Sequence, residues 1–229
     1  MYEKTKQRVY ESNIALAEKN LVILTWGNVS ELTPDGKAFV IKPSGVSYDE
    51  LSPEKMVIVN LDGHVIESDY RPSSDTETHR ILYQSFDKIG GIVHTHSLYA
   101  TSFAQARVEI PCLGTTHADH FIGNVPLTRA LSKQEIEEGY EVNTGRVIVE
   151  RMTQIDPEAI PAVLVAGHAP FVWGENSKKA VTNAVALEAI AQMALQTKQL
   201  TGQLGPVLES YVLQKHYTRK HGKNAYYGQ

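Results

Sequence analysis

The sequence predicts an α/β protein: three α/β/α layers with a central, mostly antiparallel sheet flanked by helices. Three observations carry this. Strand-like runs follow one another through short turns; Met56 to Asn60, the Asp62-Gly63 turn and His64-Val65-Ile66 read as a β-hairpin. Helical stripes are interspersed among the strands without a regular β-α-β rhythm, which disfavours a doubly wound parallel sheet. No G-x-G-x-x-G follows the first strand, so a dinucleotide fold has no support.

With 229 residues the chain suffices for one well-buried domain, expected over 1–229. A hydrophobic content of 42% and a charged content of 21% are those of an ordinary globular protein. The net charge of −4 argues against a general nucleic-acid surface. Cys112 is the single cysteine, which excludes an internal disulfide and fits a cytoplasmic setting. The N-terminus is polar and charged, unlike a signal peptide, and no apolar run reaches membrane-spanning length.

The chain opens with a helix whose apolar stripe is Tyr10, Ile14, Ala17 and Leu21. A strand-like run, Leu24 to Ser30, is broken by Gly27-Asn28, where the backbone can turn or approach a ligand. The strand Ala38 to Ile41 runs into Lys42-Pro43-Ser44-Gly45, which has the parts of an anion cradle, though the same residues are common turn chemistry. Ser74 and Glu77 have capping-box spacing, so a helix is expected from there to about Asp87; its N-terminus suits an anion near Ser73 and Ser74. Leu98 to Ala106 reads as helical, and Ile110 to His120 as a loop dense in polar groups. Ser132 and Glu135 form a second capping box opening a short helix that Gly139 ends, and Arg146 to Glu150 reads as a strand. Asp156-Pro157 opens a turn, and Phe171 to Gly174 is extended. Asn176 or Ser177 caps the longest helix, with Ala180, Ala184, Leu187, Ala191 and Ala194 on one stripe and Gly202 at its end. The basic segment from Leu213 to Gln229 has the composition of a solvated tail, except for the adjacent Tyr226 and Tyr227.

The chemistry concentrates in Gly91-Ile92-Val93-His94-Thr95-His96-Ser97, a buried strand ending in two histidines that alternate onto one face. The run Ala162-Val163-Leu164-Val165-Ala166-Gly167-His168 reads as a second buried strand that also ends in a histidine, just before a turn. Three strand-end imidazoles suggest a catalytic metal site with an open position. Asp75 is either a first-turn acid suiting the helix dipole or a carboxylate at that metal.

These segments resemble the class II aldolase/epimerase family, and most closely its L-ribulose-5-phosphate 4-epimerase branch. The matching stretches are Thr25-Trp26-Gly27-Asn28-Val29-Ser30, Ile41-Lys42-Pro43-Ser44-Gly45-Val46, Pro72-Ser73-Ser74-Asp75-Thr76, the His94-Thr95-His96 strand, Gly114-Thr115-Thr116-His117-Ala118-Asp119 and Lys220 to Gln229. They run in family order along nearly the whole chain. The resemblance implies one zinc per subunit held by His94, His96 and His168, with Asp75 at the carboxylate position. It implies phosphate contacts from Ser44, Gly45, Ser73 and Ser74, and substrate contacts from Gly27, Asn28, Lys42 and Thr116. His216 and Arg219 are expected to assist near the phosphate. The implied proton-transfer pair is Asp119 and Tyr227. A cyclic homotetramer is implied, with sites at subunit interfaces completed by the tail over 213–229.

The aspartate at 75, where the aldolase branch has glutamate, points to epimerisation. Val165 to Pro170 departs from the family pattern in having a less polar residue before His168, but keeps the ligand. The implied reaction interconverts L-ribulose 5-phosphate and D-xylulose 5-phosphate in L-arabinose catabolism. The C4 proton is not acidic, so inversion is expected by C3–C4 cleavage and rejoining, with the two proton-transfer groups on opposite faces. Alternatives are an L-fuculose-phosphate-type aldolase, a sugar-phosphate dehydratase, and a relative acting on L-xylulose 5-phosphate. A non-catalytic module of this fold is disfavoured by the presence of all three histidines.

Overall fold

The computed structural model describes residues 2–221 and 225–226; Met1, 222–224 and 227–229, Tyr227 among them, lie outside the described residues. Seven strands form one sheet in the order β4-β3-β2-β1-β5-β7-β6: β1 (Asn28–Leu32), β2 (Ala38–Ile41), β3 (Val57–Asn60), β4 (Val65–Glu67), β5 (Gly91–His94), β6 (Ala162–Leu164) and β7 (Pro170–Gly174). Every pairing within it is antiparallel. Helices α1 (Glu3–Glu18), α3 (Leu98–Ala106) and α6 (Ser177–Thr201) cover one face; α2 (Thr76–Ser85) and α5 (Lys133–Met152) cover the other. A single turn, α4 (Thr115–Ala118), and α7 (Ser210–His221) pack together at the periphery. No helix among the described residues is long and apolar enough to cross a membrane.

Strand alternation divides the core. Val29, Val93 and Val172 join the α1/α3/α6 layer, whereas Phe39, Ile92, Phe171 and Trp173 join the α2/α5 layer. Asn28, His94 and Phe171 are register partners across β1, β5 and β7, so they form one row facing the α2 side.

Several expectations need correction. The Leu24 to Ser30 run enters the sheet only at Asn28, because the chain turns at Leu24-Thr25 and again at Gly27. In α1 the buried residues are Thr5, Lys6, Val9, Ser12, Asn13 and Leu16; of the expected stripe, Leu21 is buried beyond the helix end, whereas Tyr10, Ile14 and Ala17 pack at the edge. Asn13 explains part of the rotation, bonding both the amide and the carbonyl of Val29. The Ser74–Glu77 box is absent: α2 begins after Asp75, no side chain caps it, and Glu77 pairs with Arg80 instead. The Ser132–Glu135 box is present with both bonds, but Gly139 (φ 153°) only kinks α5, which continues to Met152. Arg146 to Glu150 is therefore helix, not strand. Its β-branched run is overridden by packing on α2, where Gly145 lies so close to Ile81 that a Cβ would sit 2.8 Å from Ile81 Cβ. The basic tail is helical as far as His221 rather than solvated coil. The alanine stripe of α6 is buried as expected, and Asn176 caps its first turn.

Candidate metal and sugar-phosphate site

The three histidines converge from different elements. His94 ends β5, His96 lies just beyond it, and His168 sits in the β6–β7 turn rather than on a strand end. Gly167, with φ +74°, makes that turn possible, and its amide donates to Ala104 O. One ligand atom from each ring falls within 4.8 Å of the others. His94 Nδ1 donates to Pro170 O at 2.9 Å, which leaves Nε2 as a lone pair facing the cluster. His96 Nε2 is 3.1 Å away, close to the about 3.3 Å that separates tetrahedral nitrogens around zinc at about 2.0–2.1 Å. Glu188 of α6 accepts from the amides of Tyr99 and Ala100, fixing the start of α3 just after His96.

Burial drives all three imidazoles towards their neutral, ligating form. His94 is pushed down to about 3 and His168 to about 4, chiefly by desolvation, and His96 is lowered by the same cause. Three neutral nitrogen donors at this spacing fit a divalent cation with zinc's preferences.

The trio opens into a cavity of about 610 Å³. Its walls include Gly27, Asn28, Lys42, Ser44, Gly45, Ser73, Ser74 and Asp75, all singled out by the sequence. Gly27 has φ +85°, and a Cβ there would meet Val22 Cγ1 at 2.8 Å and His94 O at 2.9 Å, so no larger residue fits. Asn28 Nδ2 donates to Asp75 Oδ2 at 2.7 Å and to Ser73 Oγ at 3.1 Å. Asp75 Oδ2 stands 4.0 Å from His94 Nε2, beside the histidine cluster rather than within it. The two anion loops are joined by the Pro43–Pro72 bridge, with Ser44 N donating to Arg71 O and Ser73 N to Lys42 O.

Lys42, expected among the substrate contacts, turns its ammonium to the backbone of its own loop. Its ammonium donates to Val46 O at 2.8 Å and Pro43 O at 3.4 Å, bracing the Ser44-Gly45 loop from behind. Burial lowers its pKa to about 8. Lys42→Met is expected to raise KM about tenfold or more, the scale of a hydrogen bond to a charged group, with a smaller effect on kcat. The ammonium loses its proton as pH rises through about 8, so wild-type KM should climb there and the inflection should vanish in Lys42→Met. Steady-state pH profiles of both proteins check this.

Sequence reasoning missed Thr25, Trp26, Tyr140 and Glu141, which also line the cavity. Tyr140 lies 5.9 Å from the His168 ring, at the kink that Gly139 introduces. Gly139 is the signal the sequence carries there, but by itself it predicts a helix end rather than a kink.

Asp119, Thr116, His216 and Arg219 do not line this cavity. Asp119 instead receives a bidentate Arg219 (2.9 and 2.6 Å) and His216 Nδ1 at 3.1 Å, with Lys220 at 3.7 Å. Burial raises the Asp119 carboxyl, but the Arg219 and His216 bonds outweigh it and hold the group below its ordinary range. Thr116 borders a separate hollow of about 180 Å³ against α6. Tyr227 is outside the described residues; the amide of Tyr226 donates to Arg219 O.

Residues 7–195 match the model of the class II aldolase and adducin N-terminal domain. The chain belongs to that family. Within the class II aldolase family it is 49% identical over 227 residues to the L-ribulose-5-phosphate 4-epimerase UlaF of Salmonella paratyphi C, covering 99% of both chains. The same identity and coverage hold for the UlaF of Salmonella typhi. Among solved structures it is similar to an L-fuculose 1-phosphate aldolase, with a TM-score of 0.78 and 25% identity over 94% of this chain and 95% of that one. A class II aldolase fold also relates it to the L-fuculose-1-phosphate aldolase of Thermus thermophilus, with TM-score 0.67, 24% identity and coverage of 88% and 97%.

Proposed function

We propose that this protein is a zinc-dependent L-ribulose-5-phosphate 4-epimerase that interconverts L-ribulose 5-phosphate and D-xylulose 5-phosphate. One observation carries the reading: three neutral imidazoles around one point share a cavity with a serine-glycine anion cradle and the shorter acid, Asp75. The near-full-length similarity to epimerases supports it.

Bound by His94, His96 and His168, zinc supplies Lewis acidity for the negative charge that develops on the C2 and C3 oxygens. Ser44, Gly45, Ser73 and Ser74 hold the phosphate across the cavity, with Lys42 bracing the first loop. The Asp119 carboxylate takes the C4 hydroxyl proton as the C3–C4 bond breaks. The bonding electrons pass into an enediolate over C2 and C3, and the departing fragment is glycolaldehyde phosphate. That aldehyde turns its other face, the bond re-forms, and Tyr227 protonates the C4 alkoxide. Asp119 and the α7 segment form a unit apart from the histidine cavity of their own chain, so a neighbouring subunit in a cyclic tetramer is the natural recipient. The segment 213–229 then completes that neighbour's site.

Ser74→Asp sets a carboxylate against the substrate phosphate and should raise KM strongly; an unchanged KM would count against the cradle. The reading as a whole is tested by supplying L-ribulose 5-phosphate to the purified zinc-loaded protein and assaying D-xylulose 5-phosphate. No conversion would reject it.

A further inference from the structure

Behind the histidine cluster lies a polar chain that the reaction does not use. Ser30 Oγ on β1 is 2.7 Å from His79 Nδ1 and 2.8 Å from Tyr83 Oη, both on α2. His79 is wholly buried, and its Nε2 finds no hydrogen-bond partner among the described residues. The ring that His79 meets is Phe171, edge to face at 5.9 Å and 73°. Phe171 in turn stacks on His94 at 4.2 Å and 17°. The proton order that gives each group a partner runs from Tyr83 O–H to Ser30 and from Ser30 O–H to His79 Nδ1. Nε2–H is then without a conventional acceptor among the described residues, with the Phe171 ring beside the imidazole as a weak one.

We propose that His79 is a positioning residue for the metal centre: anchored by Ser30 and Tyr83, it braces Phe171 and so sets the plane of His94. Besides its contacts with His96 and His168, the His94 ring is held by the Pro170 carbonyl on Nδ1 and by the Phe171 face. The carbonyl fixes the tautomer and one ring nitrogen, but a single hydrogen bond still tolerates rocking of the ring plane. The stack limits that rocking, and the imidazole edge of His79 is one of the surfaces that hold Phe171 in place. A polar chain is a costly support in an apolar layer, since each buried group must find its partner. Apolar packing would fill the same space more simply; the chain supplies a defined orientation instead.

The inference rests on the reading of the trio as a metal site, and the test separates the two. Zinc affinity is measured by chelator competition, and the ligand field by the visible spectrum of the cobalt-substituted protein, for wild type, His79→Asn, Ser30→Ala and Tyr83→Phe. His79→Asn keeps an acceptor for Ser30 but removes the ring edge from Phe171. It should weaken zinc binding about tenfold, the lower end for groups that orient metal ligands from outside. The cobalt bands should shift as well. Ser30→Ala, a deletion of one oxygen, should follow the same direction, and Tyr83→Phe should do so less, because the Ser30–His79 bond survives. A merely structural role would lower the melting temperature of the metal-free protein and leave the folded protein's zinc affinity and cobalt spectrum unchanged; that result would overturn the proposal. If wild type itself binds neither metal, the metal-site reading fails first.

Discussion

Chelation of the metal should abolish turnover, and added zinc should restore it. His94→Ala should show the same loss without restoration. The reason is the donor set: burial keeps His94 and His168 neutral far below physiological pH, so the lone pairs are ready for a cation rather than for protons. The proposed reaction develops negative charge on the C2 and C3 oxygens, and losing a Lewis acid there costs several kcal/mol of transition-state stabilisation. Measured zinc content against kcat across a chelator titration checks this. Full activity in a demonstrably metal-free preparation would remove the metal from the mechanism.

Asp119→Asn and Tyr227→Phe should each lose epimerisation by about two orders of magnitude or more, within the usual range for general acid–base groups. Both variants should keep their fold and zinc: Asp119 does not line the histidine cavity, and Tyr227→Phe removes a single hydroxyl oxygen. Arg219 and His216 hold Asp119 as a carboxylate, the protonation state that the proposed base requires. The same bonds tie Arg219 and His216 to Asp119, a support beside the assistance near the phosphate that the resemblance implies. Since Asp119 and α7 form one unit, the informative hybrid pairs an Asp119→Asn chain with a His94→Ala chain. Random assembly of a cyclic oligomer would place both intact contributions in about one site in four. Recovery of activity on mixing, from two nearly inactive parents, is the expected result. A mixture as inactive as its parents would argue that Asp119 acts within its own subunit.

Much of this site was legible because its chemistry is written in short contiguous stretches. The His94–His96 strand, the Lys42 to Gly45 loop and the Ser73 to Asp75 turn each carry their residues within a few positions, and the sheet brings them together. The antiparallel sheet was legible for a similar reason, since strands joined by tight turns pair locally. What escaped depends on contacts distant in sequence. The strand expected over Arg146 to Glu150 failed because its β-branched residues are held helical by α2. Ser74 failed as a cap because the helix starts one residue later and Glu77 is taken by Arg80. Lys42 reads as a charge for the phosphate, yet its carbonyl partners, one of them four residues on, turn it inward. Tyr140 and the His79–Ser30–Tyr83 chain have no local signature, since each matters only through what the sheet places beside it.

The central claim is cleavage and rejoining of the C3–C4 bond without release of the fragment. It is tested most directly by incubating the zinc-loaded protein with L-ribulose 5-phosphate and measuring D-xylulose 5-phosphate and free glycolaldehyde phosphate in the same samples over time. D-xylulose 5-phosphate should account for the substrate consumed, with only a trace of free aldehyde. Stoichiometric accumulation of glycolaldehyde phosphate would contradict the account and identify the protein as an aldolase.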